Sequence, residues 1–243
     1  IFMANDTGVP YAISVPEEDG KLRFWRNTNI ALLSPGQTAT LPVGTLGYEW
    51  DSDLDNGFRP AGLMRLSTTT LTFGGALLDY GSSFGSGTQT HALTLYKHAS
   101  GARVFGAGTI QWSWGLDANH DRAGTPVDSR MRQATVNLFA DMGVQPVTLQ
   151  AGLVPATAST DLVAPSSSIT LPTQGAAVAP GVPTTISGTA SDSGGGVVAG
   201  VEVSVDGGAT WRRANGRMSW SYTWTPPASG SPIIRSRAVD DSG

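Results

Sequence analysis

Cysteine is absent from this chain of 243 residues, and charged residues are scarce. Without cysteine the chain can form no disulfide, no thiol nucleophile and no thiolate metal site. Charged residues make up 14% of the chain, well under the roughly 25% of an average soluble protein. The net charge is −4 and the basic residues do not cluster. A nucleic-acid partner is therefore not expected, because phosphate binding needs a concentrated basic face.

Long apolar runs are missing as well, since no stretch approaches the ~20 consecutive apolar residues that cross a bilayer. We therefore expect no membrane partner. No signal peptide is visible and the first residue is Ile1, so the sequence is interpreted as a fragment of a larger protein. Only Lys21 and Lys97 among the 15 basic residues are lysines. This bias, with abundant alanine and glycine, is typical of a GC-rich bacterial genome.

Glycine and proline are plentiful, at 31 and 15 residues, which favours many turns and short strands. A run of small, polar and proline residues begins at Pro155 and reads PATASTDLVAPSSS. Such a run has too little apolar surface to bury and is typical of a linker. The sequence therefore predicts a first domain over residues 1–152, a linker over 153–165 and a second domain over 166–243.

The second domain has the alternating pattern of an immunoglobulin-like β-sandwich. Apolar residues within Val201–Val205 alternate with Glu202 and Ser204, and aromatic residues alternate with polar ones within Ser219–Trp224. Period two in several short segments separated by Gly and Pro is typical of such a sandwich. The chain stops at DDSG, where a closing strand would follow, so the last strand is predicted to be missing.

The spacing S-x-D-x-G-x-T-W over Ser204–Trp211 resembles the Asp-box of sialidases and other secreted β-proteins. In this motif the Asp side chain accepts turn N–H groups, Gly adopts a positive φ and Trp packs beneath the hairpin. We expect a structural hairpin here and an extracellular, secreted location for the protein.

The first domain is predicted to be a β-rich α/β unit with one amphipathic helix. Short alternating segments such as Tyr11–Val15 and Lys21–Trp25 indicate strands. The helix is predicted to begin near Pro126, with Asp128 at its positive end, and to be capped by Gly143. Its apolar face is expected to consist of Met131, Ala134, Leu138 and Met142.

Three carboxylates alternate before a glycine in the segment DSDLDNG, at Asp51, Asp53 and Asp55. Calcium loops use this arrangement of hard oxygen ligands with a sharp turn. The match to an EF-hand loop fails because Asn56 stands where Gly is required and Gly62 stands where Glu is required. The segment therefore predicts either a calcium site or an acidic surface turn.

The loop LDANHDRAG, over Leu116–Gly124, presents several polar side chains after a segment rich in Trp. Polar loops at strand ends often carry the functional sites of α/β proteins. The alternative is a loop that caps turns before the helix. Its candidate residues are Asp117, Asn119, His120 and Asp121.

Two tryptophans, Trp112 and Trp114, are expected to share one face of a strand in QWSWG. If the two side chains are exposed, they could stack on the sugar rings of a polysaccharide. If they are buried, they belong to the hydrophobic core, which is the commoner outcome for aromatic residues at period two. The same alternatives apply to Trp220 and Trp224.

No Ser-His-Asp arrangement can be argued from this sequence. The histidines are His91, His98 and His120, and neither a G-x-S-x-G nor an H-E-x-x-H motif occurs.

Several stretches of the first domain resemble a known family. They read KLRFWRNT, GTLGYEWDSDLDNGFRPAGL, RVFGAGTIQWSWGLDANHD and MRQATVNLFADMG, and together they lie within residues 20–145. They resemble the C-terminal region of proteins similar to the large (β) subunit of N,N-dimethylformamidase. The second domain looks like a bacterial Ig-like module.

The resemblance implies that the first domain is part of a layered α/β fold similar to class I glutamine amidotransferases. Members that are true dimethylformamidases hydrolyse a small amide with mononuclear iron held by Tyr and Glu side chains. The His-x-Glu segment of that iron site lies upstream in the family, and no such tripeptide occurs here. The resemblance carries over Glu49 as a candidate catalytic residue, with Asp51 and His120 as further candidates.

Three functions are therefore open. The first is a non-catalytic structural module, whose partners are other domains of the parent chain. The second is an amide hydrolase with Glu49 as metal ligand or general base, which needs a carboxylate in a suitable pocket. The third is an accessory module that binds polysaccharide through exposed tryptophans.

Overall fold

The chain folds into two compact units. A computed structural model describes residues 2–4, 11–79, 82–121 and 124–242. The N-terminal unit comprises Ile1–Leu54 and Arg65–Ser159, and the C-terminal unit comprises Asp55–Met64 and Thr160–Gly243. A short segment from early in the chain is therefore part of the later unit, which the sequence did not predict.

The N-terminal unit is built from short strands that pair antiparallel. Antiparallel pairs are β1 with β4, β2 with β3, β6 with β7, and β8 with β9, and β5 neighbours β8 in a sheet of order β5-β8-β9. The strands up to β9 are β1 (Phe2–Ala4), β2 (Ser14–Pro16), β3 (Thr38–Thr40), β4 (Glu49–Asp51), β5 (Met64–Arg65), β6 (Thr69–Leu78), β7 (Ser83–His91), β8 (Thr94–Lys97) and β9 (Arg103–Gly106).

The helices described in this unit are α1 (Glu17–Gly20) and α2 (Ser129–Asp141), with 3₁₀ turns at Arg23–Trp25, Asn29–Leu32 and Trp112–Gly115. Helix α2 confirms the existence of the predicted helix, but it begins at Ser129, three residues after Pro126, and Met142 of the expected apolar face is exposed beyond its end. The N-terminal cap of α2 is Asp128, whose carboxylate accepts the N–H of Arg130 at 2.8 Å. It ends before Gly143, whose φ of +78° is the left-handed conformation of a C-terminal cap.

Aromatic side chains form the centre of the N-terminal unit. Phe24 stacks on Phe105 with ring centroids 5.5 Å apart, and Trp112 meets Phe105 at 5.7 Å. The expectation of strands at QWSWG and over Lys21–Trp25 is wrong, because Trp112–Gly115 and Arg23–Trp25 are 3₁₀ turns. Trp112 is only 9% exposed. Its burial against the two phenylalanines accounts for this turn, which period-two spacing does not reveal.

The N-terminal unit is β-rich with few helices in the described ranges. The layered α/β fold implied by the family resemblance is not confirmed. No helix in the described part of the chain combines the length and the apolar character needed to cross a bilayer.

The C-terminal unit confirms the predicted Ig-like sandwich. One sheet has the order β10-β11-β15-β14 and the other has the order β13-β12-β16. Their strands are β10 (Ser166–Leu171), β11 (Thr184–Ser191), β12 (Val198–Ser204), β13 (Arg212–Arg213), β14 (Asn215–Gly216), β15 (Ser219–Trp224) and β16 (Arg235–Asp240). The core between the sheets contains Ile186, Ala190, Val198, Val201, Val203, Ala214 and Trp220.

Strand β12 is buried on both faces, although its alternation predicts one solvent face. Its outward Glu202 accepts hydrogen bonds from Arg237 at 2.6 Å and from the N–H of Gly62 at 3.4 Å. Gly62 belongs to the segment Asp55–Met64 of the same unit. This segment therefore helps to cover what would otherwise be the exposed face of the sheet.

The Asp-box hairpin forms as predicted. Asp206 accepts the N–H of Thr210 at 2.9 Å and the hydroxyl of Ser204 at 2.7 Å. Gly208 has a φ of +104°, and its carbonyl accepts the indole N–H of Trp211 at 3.1 Å. The motif stabilises a turn.

Candidate functional site

Glu49 lies on β4 and lines an open cleft of about 250 Å³. Its neighbour Trp50 points into the core and is 2% exposed, while the Glu49 side chain is half-buried. The Glu49 carboxylate makes no hydrogen bond or ion pair with any residue that the structure describes. An arginine partner, which would have made this glutamate purely structural, is thus not found within those ranges. The other residues that line the cleft are Trp50, Asp51, Gly108, Thr109 and Ile110.

The three carboxylates predicted as calcium ligands have different neighbours. Asp51 is exposed, and its N–H donates to the carbonyl of Gly108 at 2.7 Å. In the N-terminal unit, Asp53 forms an ion pair with Arg65 at 2.5 Å. An arginine beside a carboxylate competes with a bound cation for its oxygens.

In the C-terminal unit, Asp55 accepts hydrogen bonds from the Arg212 guanidinium and from the Arg213 N–H, both at 3.1 Å. Arginine partners therefore hold two of the three predicted ligands. A calcium site over Asp51, Asp53 and Asp55 stays a prediction.

His120 lies against Trp114, with the two rings nearly parallel and their centroids 4.5 Å apart. The imidazole Nε2 is 3.4 Å from the carbonyl oxygen of Thr125. Nearby, Asp117 accepts the N–H of Asn119 at 2.7 Å, as in the turn-capping alternative. Residues 122 and 123 of this loop are outside the described ranges. The contacts of His120 are thus to a tryptophan and a backbone carbonyl, and none of them is to Glu49.

The other two histidines also have structural surroundings. His91 is fully buried, and burial lowers its pKa to about 4, so the ring is neutral at pH 7. Its Nε2 lies 2.9 Å from the carbonyl oxygen of Ala107, and its ring meets Trp50 edge to face. His98 is exposed, and its Nδ1 is 2.8 Å from the Ser100 hydroxyl.

The tryptophans considered for sugar stacking are largely engaged by the protein. Trp112 and Trp220 are buried in their cores, and Trp114 is covered by His120 on one face. Trp224 is partly buried against the sandwich core. Polysaccharide binding stays a prediction.

A group of acidic residues that sequence reasoning missed lies in the C-terminal unit. Asp161, Asp192 and Asp240 each bring one carboxylate oxygen within 4.8 Å of the others. The three residues are far apart in the chain and match no spacing motif. The only local signal is that Asp192 and Asp240 lie at strand ends, in the segments DSGGG and DDSG.

Comparison with known proteins places both parts of the chain. A family model described as N,N-dimethylformamidase beta subunit-like, C-terminal, matches residues 1–124, just over half of the 243 residues. A model described as bacterial Ig domain matches residues 165–235. No curated protein matches the chain. The chain therefore belongs to the N,N-dimethylformamidase beta subunit-like, C-terminal family and carries a bacterial Ig domain after that region.

Proposed function

We propose that this chain is a non-catalytic structural and interaction module of a larger secreted bacterial protein. In this proposal the N-terminal unit is the distal part of an amidotransferase-like domain, the Ig-like unit is a spacer, and the partners are other domains of the parent chain.

The observation that carries the proposal is that no described contact joins the candidate catalytic side chains Glu49 and His120. Glu49 has no orienting hydrogen bond within the described ranges, and His120 is stacked on Trp114. A general base or a metal ligand is normally oriented by partner groups that set its position and its pKa. Glu49 has no partner of that kind among its described contacts, and the polar contact of His120 is that of Nε2 with the carbonyl oxygen of Thr125, at 3.4 Å.

Polar groups elsewhere in the N-terminal unit serve as structural ties. The Asp141 carboxylate, at the end of α2, accepts hydrogen bonds from Arg23 at 2.7 Å and from Arg26 at 3.0 Å. Both guanidinium groups also donate to the carbonyl of Thr157, at 3.1 and 3.0 Å. The buried Asp141 carboxylate thus ties a 3₁₀ turn to a helix end, and the two arginines also hold the backbone at Thr157. This use of charge is typical of a scaffold.

Amide hydrolysis is the second candidate, and the position of Glu49 in an open cleft favours it. Iron, the metal implied by the family resemblance, needs several converging side-chain ligands. In the described part of the N-terminal unit, no three His, Asp or Glu side chains bring ligand atoms together. The His, Asp and Glu side chains of the described residues therefore do not supply three converging iron ligands in this unit.

An assay of the purified chain separates the two candidates. Release of dimethylamine from N,N-dimethylformamide is measured with and without added iron, for the wild type and for Glu49→Gln. We expect no rate above the buffer blank in any sample. Hydrolysis that disappears in Glu49→Gln and persists in the surface variant Glu17→Gln would establish the hydrolase and overturn the structural module.

A further inference from the structure

Three distant segments of the C-terminal unit meet at one acidic cluster. Asp161 comes from the predicted linker, Asp192 follows the end of β11, and Asp240 is the last residue of β16. One oxygen from each carboxylate lies within 4.8 Å of the other two. Asp240 is only 8% exposed, so at least one of these negative charges is held away from bulk water.

One oxygen of Asp192 points to a missing partner. Its Oδ1 accepts the N–H of Gly194 at 2.7 Å, while its Oδ2 is buried and has no hydrogen-bond partner among the described residues. A buried charged oxygen without a partner is strongly unfavourable, which is why such groups are normally paired or coordinate a metal. The unpaired Oδ2 is therefore an indication of a ligand that is independent of the clustering itself.

The space beside Gly196 shows where that ligand would bind. A Cβ added at Gly196 would lie 2.7 Å from Asp161 Oδ2, 3.0 Å from Asp192 Oδ2 and 3.1 Å from Ser242 Oγ. Three oxygen atoms, including the unpaired one, thus surround a single small volume that only glycine leaves open. Asp161 Oδ2 also accepts the N–H of Gly196 at 2.7 Å, and a carboxylate oxygen has a second lone pair for a cation.

The donor set determines the class of ligand. Every donor is an oxygen, three come from carboxylates, and neither an imidazole nor a thiolate takes part. Calcium prefers six to eight such oxygens in flexible geometry, whereas magnesium requires a tighter octahedron and keeps more of its water. Ligands supplied by three separate segments fit the ion with the less demanding geometry better, which is calcium.

We propose that Asp161, Asp192 and Asp240 bind a calcium ion, with Ser242 beside it. The ion would fasten the linker at Asp161 to two loops of the Ig-like sandwich. The attachment of the linker would then depend on the calcium concentration outside the cell, a form of regulation that the proposed structural function does not include. Extracellular modules bind calcium with Kd values of about 10⁻⁴ to 10⁻³ M, and we expect this range.

Isothermal titration of the chelator-treated full chain with calcium tests the proposal. We expect one ion per chain, and at least a tenfold weaker Kd for Asp192→Asn, which keeps a side chain of the same shape. The matched control is Asp51→Asn, in the other acidic segment, which should bind as the wild type does. No binding up to roughly 10 mM calcium, well beyond the expected range, would refute the site.

Further outcomes are equally decisive. Binding that is lost in Asp51→Asn and kept in Asp192→Asn would move calcium to the Asp51–Asp55 segment and overturn the proposal. Magnesium that competes equally with calcium would overturn the identity of the ion. If Asp192→Asn fails to fold by circular dichroism, Gly196→Ala replaces it, because the added methyl group fills the space between the oxygens. The amide-hydrolysis assay is independent of all these results.

Discussion

Acidification from pH 7 to pH 5 should weaken the N-terminal unit because of a single histidine. His91 is fully buried, and the loss of its hydration is the main reason that its pKa falls from 6.5 to about 4. The hydrogen bond to the carbonyl of Ala107 and the charge of Asp53 act in the opposite direction and only partly offset this loss. The folded unit therefore holds the imidazole neutral under conditions in which the unfolded chain protonates it.

The sign and the size of the effect follow from this difference. Between about pH 6.5 and 4 the unfolded state binds more protons than the folded state, so stability falls as the pH falls through this window. The stability that neutral His91 contributes is fully present above pH 7. Below about pH 4 the protonation of His91 lowers the stability no further. One pKa unit corresponds to 1.36 kcal/mol, so the drop from pH 7 to pH 5 is about 2 kcal/mol.

Urea unfolding of the full chain, followed by tryptophan fluorescence at pH 7, 6 and 5, measures this drop. His91→Gln keeps a donor for the Ala107 carbonyl but cannot titrate, so we expect it to lose about 2 kcal/mol less than the wild type over this range. His98→Gln is the matched control, because His98 is exposed, and its profile should follow that of the wild type. Parallel profiles for the wild type and His91→Gln would refute the reasoning.

Three further predictions concern stability. Asp141→Asn removes the negative charge that Arg23 and Arg26 share, and should lower the unfolding free energy measured in urea by ~3 kcal/mol. The control is Glu17→Gln, which breaks a surface ion pair with Lys21 and should change the unfolding free energy by less than ~1 kcal/mol. Ile186→Ala opens a cavity in the sandwich core and should cost about 2–5 kcal/mol by the same measurement, with a change near zero for the exposed Ile233→Ala. Asp206→Ala removes the acceptor of the Asp-box turn and should lower the Tm in calorimetry, while an unchanged Tm would show that the turn forms without it.

Local sequence patterns predicted those elements whose stabilising contacts join residues that are close together in the chain. Gly143 ends α2 where spacing predicted, whereas the cap Asp128 begins the helix at Ser129, three residues after the predicted Pro126. The Asp-box turn follows from Asp206 and Thr210, four residues apart. Alternating residues in β12 and β15 predicted the sandwich, because period two places one face on a core regardless of what the rest of the chain does.

Long-range packing decided the features that these patterns missed. Trp112 sits in a 3₁₀ turn because Phe24 and Phe105 form its pocket, and both come from other segments. Glu202 is buried because a segment 140 residues earlier donates to it, although its own strand alternates as if that face were open. Composition predicted that residues 153–165 form a linker, yet the carbonyl of Thr157 and the carboxylate of Asp161 both accept hydrogen bonds from residues outside it.

The sequence by itself determined the two-part organisation, the family, the Ig-like sandwich, helix α2 and the hairpin turn. Each of these depends on residues close together in the chain or on a pattern repeated along it. Only the tertiary structure decided that Asp53 and Asp55, two of the predicted calcium ligands, have arginine partners. It also decided that Asp161, Asp192 and Asp240 converge beside an unpaired oxygen of Asp192. The reason is physical: the environment of a carboxylate is set by the segments that fold against it, and the spacing of residues along the chain does not specify those segments.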